Sequence, residues 1–113
     1  MQDRESNIVR GYRNEILKMI LLSLLIKNGS YPYALLKAIQ KKRMWFLRNV
    51  VKNDVYNALS SMEKQGYIKS KMTFADSSAR KNYKITPKGR RIIKAARITM
   101  LNSFGDIAKM IKE

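Results

Sequence analysis

Within NDVYNALSSMEKQGYIKS, residues 53–70, the polar side chains Asn53, Tyr56, Asn57, Ser60, Ser61 and Lys64 recur at steps of one and three residues. On a helix those steps collect them on one side, because a turn takes about 3.6 residues. The chemistry they offer is hydrogen bonding rather than bond making. Asn carries a donor and an acceptor side by side, a Ser hydroxyl does either, and Lys donates with a charge. The first fourteen residues of the stretch hold two acids, Asp54 and Glu63, and one base, Lys64, whereas the whole chain stands at +16. A polar, nearly neutral helix face in so basic a chain could be plain solvated surface, so its meaning depends on what surrounds it.

Catalysis lacks its usual parts. The chain has no His and no Cys, which removes the commonest general base, the commonest metal ligand, thiolate nucleophiles and disulfides. Its eight carboxylates are scattered rather than paired. We therefore expect no enzyme, no metal and no cofactor. The longest apolar run, MILLSLLI at 19–26, is eight residues with Ser23 inside it, against the roughly 20 needed to cross a bilayer. No small-residue cleavage site follows it, and Asp3 and Glu5 spoil the positive region of a signal peptide. A cytoplasmic chain with no membrane partner is expected.

The elements that must position residues 53–64 can be read from periodicity. At 113 residues and 45% apolar content the chain suits one domain with one core. Helix 1 is expected at about 12–27. Ile16, Leu17, Ile20, Leu21, Leu24 and Leu25 make one face, and Met19, Leu22 and Ile26 widen it until the helix needs cover on two sides. Lys27-Asn28-Gly29 reads as a left-handed stop. Helix 2 follows, with Ser30 as N-cap, Pro32 in its first turn, and Ala34, Leu35, Ala38 and Ile39 inward, ending near Lys41. Residues 41–52 read as a loop. Helix 3 is expected at 53–65, capped by Asn53 or Asp54 and ended by Gly66, with Val55, Ala58, Leu59 and Met62 inward. The period then changes to two. YIKSKMTF and KNYKI form an antiparallel hairpin around the turn ADSSAR, with Tyr83 and Ile85 on one face. Thr86 and Pro87 start helix 4, along which Ile93, Ala96, Met100, Phe104, Ile107 and Ile111 make a continuous stripe. The fold class is mainly α with a small β-hairpin: a winged helix-turn-helix plus a long C-terminal helix.

Charge brackets the neutral helix. Residues 31–52 hold six bases and no acid, and residues 67–90 hold seven bases with Asp76, so each segment carries +6. Such a balance favours an anionic partner. Asn pairs bidentately with adenine, Ser serves any base, and Lys reaches guanine or phosphate. Short polar side chains also let a helix approach a groove floor. Helix 3 is thus expected to read base edges through Asn53, Tyr56, Asn57, Ser60, Ser61 and Lys64. Phosphates would be held by Tyr31, Tyr33, Lys41, Lys42 and Lys52, and by Ser77, Ser78, Arg80 and Lys81 of the wing.

Three segments taken together resemble the PadR-like transcriptional regulators. YPYALL at 31–36, VYNALSSMEKQGYI at 55–68 and YKITPKGRRII at 83–93 stand in the family's order and spacing. The family places a tyrosine-containing start on helix 2. Its recognition helix reads Leu-Tyr-Pro-Ala-Leu and ends in Glu-x-x-Gly-Leu-Ile, and its wing closes on Tyr-x-Leu-Thr-x-x-Gly. Tyr56 and Ala58 match that pattern. Asn53-Asp54 stand where the family usually has Gly-Thr, and Asn57 where it has Pro, so no operator carries over from the resemblance. A single C-terminal helix is similar to the short-tailed branch, in which that helix makes the homodimer.

The resemblance implies a sequence-specific, double-stranded-DNA-binding regulator, a repressor acting as a homodimer on a pseudo-palindromic operator. Dimerisation is expected to use Ile16 and Ile20 with Ile93, Ala96, Met100, Phe104, Ile107 and Ile111. The chain divides into a flexible arm (1–11), a DNA-binding domain (12–86) and a dimerisation helix (87–113). Some relatives bind aromatic compounds. An unknown small-molecule effector would here meet either Met44, Trp45, Phe46 and Leu47 or the cleft between helices 1 and 4, although the simpler role of that cluster is to cover helix 2 and the wing. Two other readings compete: a weakly specific architectural DNA protein, favoured by +16, and an RNA-binding basic protein, which would show aromatics on an exposed sheet.

Overall fold

The computed structural model describes residues 7–42, 47, 49–75 and 78–111. Six elements follow in order: α1 (Asn7–Leu25), α2 (Pro32–Lys42), α3 (Lys52–Lys64), β1 (Ile68–Ala75), β2 (Ser78–Ile85) and α4 (Pro87–Ile111). They form the expected winged helix-turn-helix, extended by α4.

α1 is the wall shared by both halves of the molecule. Leu17, Leu21, Leu22 and Leu25 are buried together with Leu35 and Ile39 of α2 and with Val55, Leu59 and Met62 of α3. Its other side, with Met19, Ile20 and Ile26, faces α4 across a groove. The two-sided cover demanded by its apolar circumference comes from α2 and α3 on one side and only in part from α4 on the other. α1 begins at Asn7 rather than at residue 12, so residues 7–11 of the expected arm are helical. One reason is the contact of the Tyr12 ring with Phe104 of α4, their centroids 5.6 Å apart. Residues 1–6 lie outside the described residues, as do Met44, Trp45 and Phe46. Leu47 is buried in the core.

The junction after α1 differs from the local reading. α1 ends at Leu25, and Gly66, not Gly29, is the glycine with positive φ. What Gly29 supplies is space: a Cβ there would lie 2.7 Å from Asn82 Nδ2 and 3.0 Å from the Tyr83 carbonyl oxygen. β2 comes this close because Ser30 pairs with Tyr83 as a short antiparallel bridge. The Ser30 N–H donates to Tyr83 O at 3.0 Å and the Tyr83 N–H to Ser30 O at 2.7 Å. Ser30 is thus a rung of the sheet rather than the cap of α2. The cap position falls to Tyr31, whose carbonyl accepts from Leu35 N–H at 3.1 Å.

α3 is held by Val55, Ala58, Leu59 and Met62, all buried. Its N-cap residue is Val51, outside the expected pair, and Asp54 contributes from the third helical position, accepting the Val51 N–H at 2.9 Å. A carboxylate there also opposes the positive end of the helix dipole. At the other end the Tyr67 N–H donates to Met62 O and the Gly66 N–H to Glu63 O, each at 3.0 Å. With Gly66 at φ +83°, this is a complete Schellman stop.

β1 and β2 pair antiparallel from Ile68↔Ile85 through Ser70↔Tyr83 to Ala75↔Ser78. Ladder pairing therefore runs further than the expected turn ADSSAR allows, and it takes Ser78, Ala79 and Arg80 into β2, Arg80 opposite Thr73. Main-chain hydrogen bonding won over the turn propensity of Ser78.

Thr86 caps α4 as expected, its Oγ1 accepting the Gly89 N–H at 3.0 Å. The same hydroxyl lies 2.7 Å from Gly66 O and 3.0 Å from Tyr67 O, to which it donates. Gly89 is needed because a Cβ there would collide with the Tyr67 carbonyl and meet Ile85 Cγ1 at 2.8 Å. Two cations of the same turn close other helix ends: Lys88 Nζ donates to Gln65 O at 2.8 Å and Arg90 Nη2 to Ile26 O at 3.0 Å. No helix among the described residues is long and apolar enough to cross a membrane.

Two glycine substitutions separate these effects. Gly89→Ala is expected to lower stability by about 1–3 kcal/mol through overpacking, despite the better helix propensity of alanine. Gly11→Ala, where a new Cβ meets nothing within 4 Å, is expected to raise it by up to about 1 kcal/mol. Urea denaturation at one protein concentration reads both.

Candidate nucleic-acid interface

With its apolar stripe turned inward, α3 presents three kinds of surface. Asn53, Asn57, Ser60 and Lys64, three or four residues apart, form the ridge opposite the core, and all four are exposed. On one flank Tyr56 is exposed and Glu63 half-buried beside the wing. On the other, Asp54 and Ser61 are half-buried, and with Asn57 they line a crevice against Gly11, Asn14 and Lys18 of α1. The six expected readers are thus brought onto one helix, but not equally. Ser61 is half-buried against α1, while Asn53, Asn57, Ser60 and Lys64 are exposed, Asn57 also lining the crevice.

The wing is tied to α3 through Glu63. Ser70 Oγ of β1 donates to Glu63 Oε2 at 2.7 Å. Tyr83, across the ladder from Ser70, has its phenol pushed above the ordinary tyrosine range by burial first, then by the Glu63 carboxylate and by Tyr56. A charged tyrosinate is disfavoured there.

Cations stand around the ridge, several of them against tyrosine rings. Arg80 stacks over Tyr31 at 4.2 Å, Lys37 lies 5.5 Å from the Tyr33 ring and Lys52 lies 5.8 Å from the Tyr56 ring. Contacts of this kind hold a flexible cation in place at a gain of about 0.5–1 kcal/mol at exposed sites. Lys41 and Lys42 occupy the last turn of α2, where their charge opposes the helix dipole. Lys81 and Ser78 are exposed on the wing, and Ser77 lies outside the described residues. Sequence reasoning missed a further group. Lys69, Lys71 and Lys84 converge with Thr73 and Asn82 around a hollow on the hairpin. The signal was present in the period-two spacing of Lys69 and Lys71, with Lys84 opposite Lys69.

α4 departs from its simple stripe. Ile93, Ala96, Met100 and Phe104 are half-buried, and Ile93, Met100 and Phe104 line a groove of about 890 Å³ shared with Ile16 and Ile20 of α1. Ile16 is already buried within one chain. Ile107 and Ile111 are exposed, and so are Ile98 and Leu101, at 64% and 71%, which the stripe did not include. Arg90, Arg91, Lys94 and Arg97 also line this groove.

Comparison with known proteins follows this geometry. Residues 21–95 match the family described as Transcriptional regulator PadR-like. The chain belongs to the PadR-like family of transcriptional regulators. A transcriptional regulator from Clostridium thermocellum is 33% identical, with a TM-score of 0.73 over 97% of this chain and 100% of that one. A PadR family regulator from Eggerthella lenta is 25% identical, with a TM-score of 0.78 over 93% of this chain and 89% of that one. Bacillus subtilis PadR, solved in complex with operator DNA, shares the fold at 21% identity and a TM-score of 0.66, over 74% of this chain and 47% of that one. No curated protein sequence gives a significant match. The PadR-like match spans α2, α3, the hairpin and the start of α4, the elements that carry the expected interface.

Substitution distinguishes reading from holding. Asn57→Ala is expected to weaken binding to a preferred duplex by about 1–3 kcal/mol and relax its sequence preference, leaving the salt slope almost unchanged. Lys81→Ala should weaken all duplexes alike and flatten the slope by about one unit. Fluorescence anisotropy across a salt series measures both quantities.

Proposed function

We propose that this PadR-like protein is a sequence-specific repressor that binds a pseudo-palindromic DNA operator as a homodimer. The observation that carries the reading is the exposed, nearly neutral ridge Asn53–Asn57–Ser60–Lys64, set between cationic elements on both sides. A helix meant only to hold phosphates gains nothing from asparagine and serine there. Such side chains suit base edges in a major groove, and Arg80, Lys81 and the α2 lysines supply the sequence-independent attraction. The operator-bound Bacillus subtilis PadR supports a DNA partner for the shared fold.

Dimerisation follows from exposed apolar surface. Six large apolar side chains of α4 are exposed: Ile92, Ile98, Leu101, Ile107, Met110 and Ile111. A monomer rarely leaves so many large apolar side chains of one helix in water. A second copy, packed through α4 and the open side of α1, covers it with a surface of the same kind, as an isologous interface requires. In this reading residues 12–86 bind DNA and 87–113 dimerise. Repression is by occupancy of promoter DNA. An effector entering the α1–α4 groove would change the separation of the two α3 helices, provided it binds one spacing better than another.

The weakly specific architectural reading draws on the +16 charge and the Lys69–Lys71–Lys84 group. Footprinting decides between the two. On a duplex selected from a random library, hydroxyl-radical protection should fall in two related half-sites about 34 Å apart, one DNA turn. Leu101→Lys should reduce the species seen in sedimentation to a monomer and abolish joint protection of the half-sites. Uniform protection with no enriched sequence would favour the architectural reading.

A further inference from the structure

The hairpin carries an apolar end that the interface described above does not use. Phe74 of β1 is 80% exposed, and Met72, two residues before it, is 47% exposed. Alternation along a strand puts Ser70, Met72 and Phe74 on one face. Ser70 bonds Glu63 of α3, so Phe74 extends from the side of the wing that meets the reading helix. Directly across the ladder, Met72 faces Lys81 and Phe74 faces Ala79, which leaves the phenyl ring without a large neighbour on β2. Lys81 shares the face of Met72 and Phe74, Lys71 and Arg80 stand on the opposite face, and the described residues of the hairpin include no acid.

We infer that Phe74, backed by Met72, is a wedge that the wing inserts from the minor groove between stacked base pairs beside the sequence read by α3. This rests on the DNA-binding reading above. Two arguments select duplex DNA as the occupant. An apolar tip with Lys81 on its own face and Lys71 and Arg80 on the opposite face of the same ladder is complementary to base faces flanked by phosphates, whereas an apolar protein surface laid on that tip would leave Lys81 against low-dielectric surroundings. The reach also fits. Phe74 lies four residues beyond Ser70, or about 13 Å along an extended strand, comparable to the half-turn of about 17 Å separating a major groove from the next minor groove. Side chains such as Phe and Met used this way unstack a step and bend the duplex by roughly 20–90° toward the major groove. Pyrimidine–purine steps open most easily, so the wedge would add a preference for TA or CA/TG flanking the contacted bases.

The test uses the full chain and a duplex selected from a random library, with 2-aminopurine placed singly at successive flanking steps. The wild-type protein should brighten the probe at one flanking step and bend the duplex, as read by end-to-end energy transfer. Phe74→Ala should lose both signals while still preferring the same α3-contacted bases, and Phe74→Leu should restore them. The high exposure of Phe74 makes loss of fold in these variants an unfavoured outcome, and circular dichroism checks it. If a sequence is selected but the wild-type protein brightens no step, or Phe74→Ala brightens it equally, the wedge is wrong and the ring is left for a protein contact. If no sequence is selected at all, the DNA-reading proposal fails and takes the wedge with it.

Discussion

Three elements meet at the Gly66–Tyr67 peptide, and their mutual placement depends on it. α3 stops there in a left-handed turn at Gly66, the wing leaves from Tyr67, and α4 starts against it. The Tyr67 carbonyl accepts both the backbone N–H and the hydroxyl of Thr86, each at 3.0 Å. Gly89 lets the first turn of α4 come this close, and Lys88 closes the exposed end of α3. Each bond alone contributes only about 0.5–1.5 kcal/mol net. Collectively they tie α4 to α3, with no flexible linker between them. In the proposed dimer, a shift in how two copies pack would therefore be felt as a change in the distance between the two α3 helices.

Electrostatics divides the labour differently. The +16 charge acts at a distance and speeds encounter with DNA, but it carries no sequence information. Reading requires short-range donors and acceptors, which work only if long cationic side chains do not hold the helix away from the groove floor. The neutral ridge of α3 meets that requirement. Asp54 is consistent with it too: its carboxylate is occupied by the Val51 N–H and does not stand free toward phosphates.

Much of this was legible in the sequence wherever one element settles its own residues. The apolar spacing of α3 and the glycine after it placed that helix to within a residue, and Thr86-Pro87 marked the start of α4. The misreadings came from contacts between distant segments. Gly29 reads locally as a helix stop, yet it is small because β2 passes beside it. Ser30 has every property of a cap, but pairing with Tyr83, fifty-three residues on, takes its backbone. Arg80 looks like a turn residue until the ladder is registered against β1. On α4 the expected stripe is partly covered by α1, and Ile98 and Leu101, outside it, remain open. Phe74 read simply as the end of a strand; its exposure became evident only when the hairpin was seen to outrun the core.

The central claim is that reading and holding reside in separate parts of this surface, and salt separates them most directly. Binding would be measured from low to high salt on duplex from upstream of the protein's own gene and on its scrambled counterpart, with competitor DNA present. The account predicts that both affinities fall with salt along similar slopes, while the ratio between them persists because it comes from uncharged contacts to bases. Equal affinities that collapse together, for this duplex and for any recovered by selection from a random library, would contradict it.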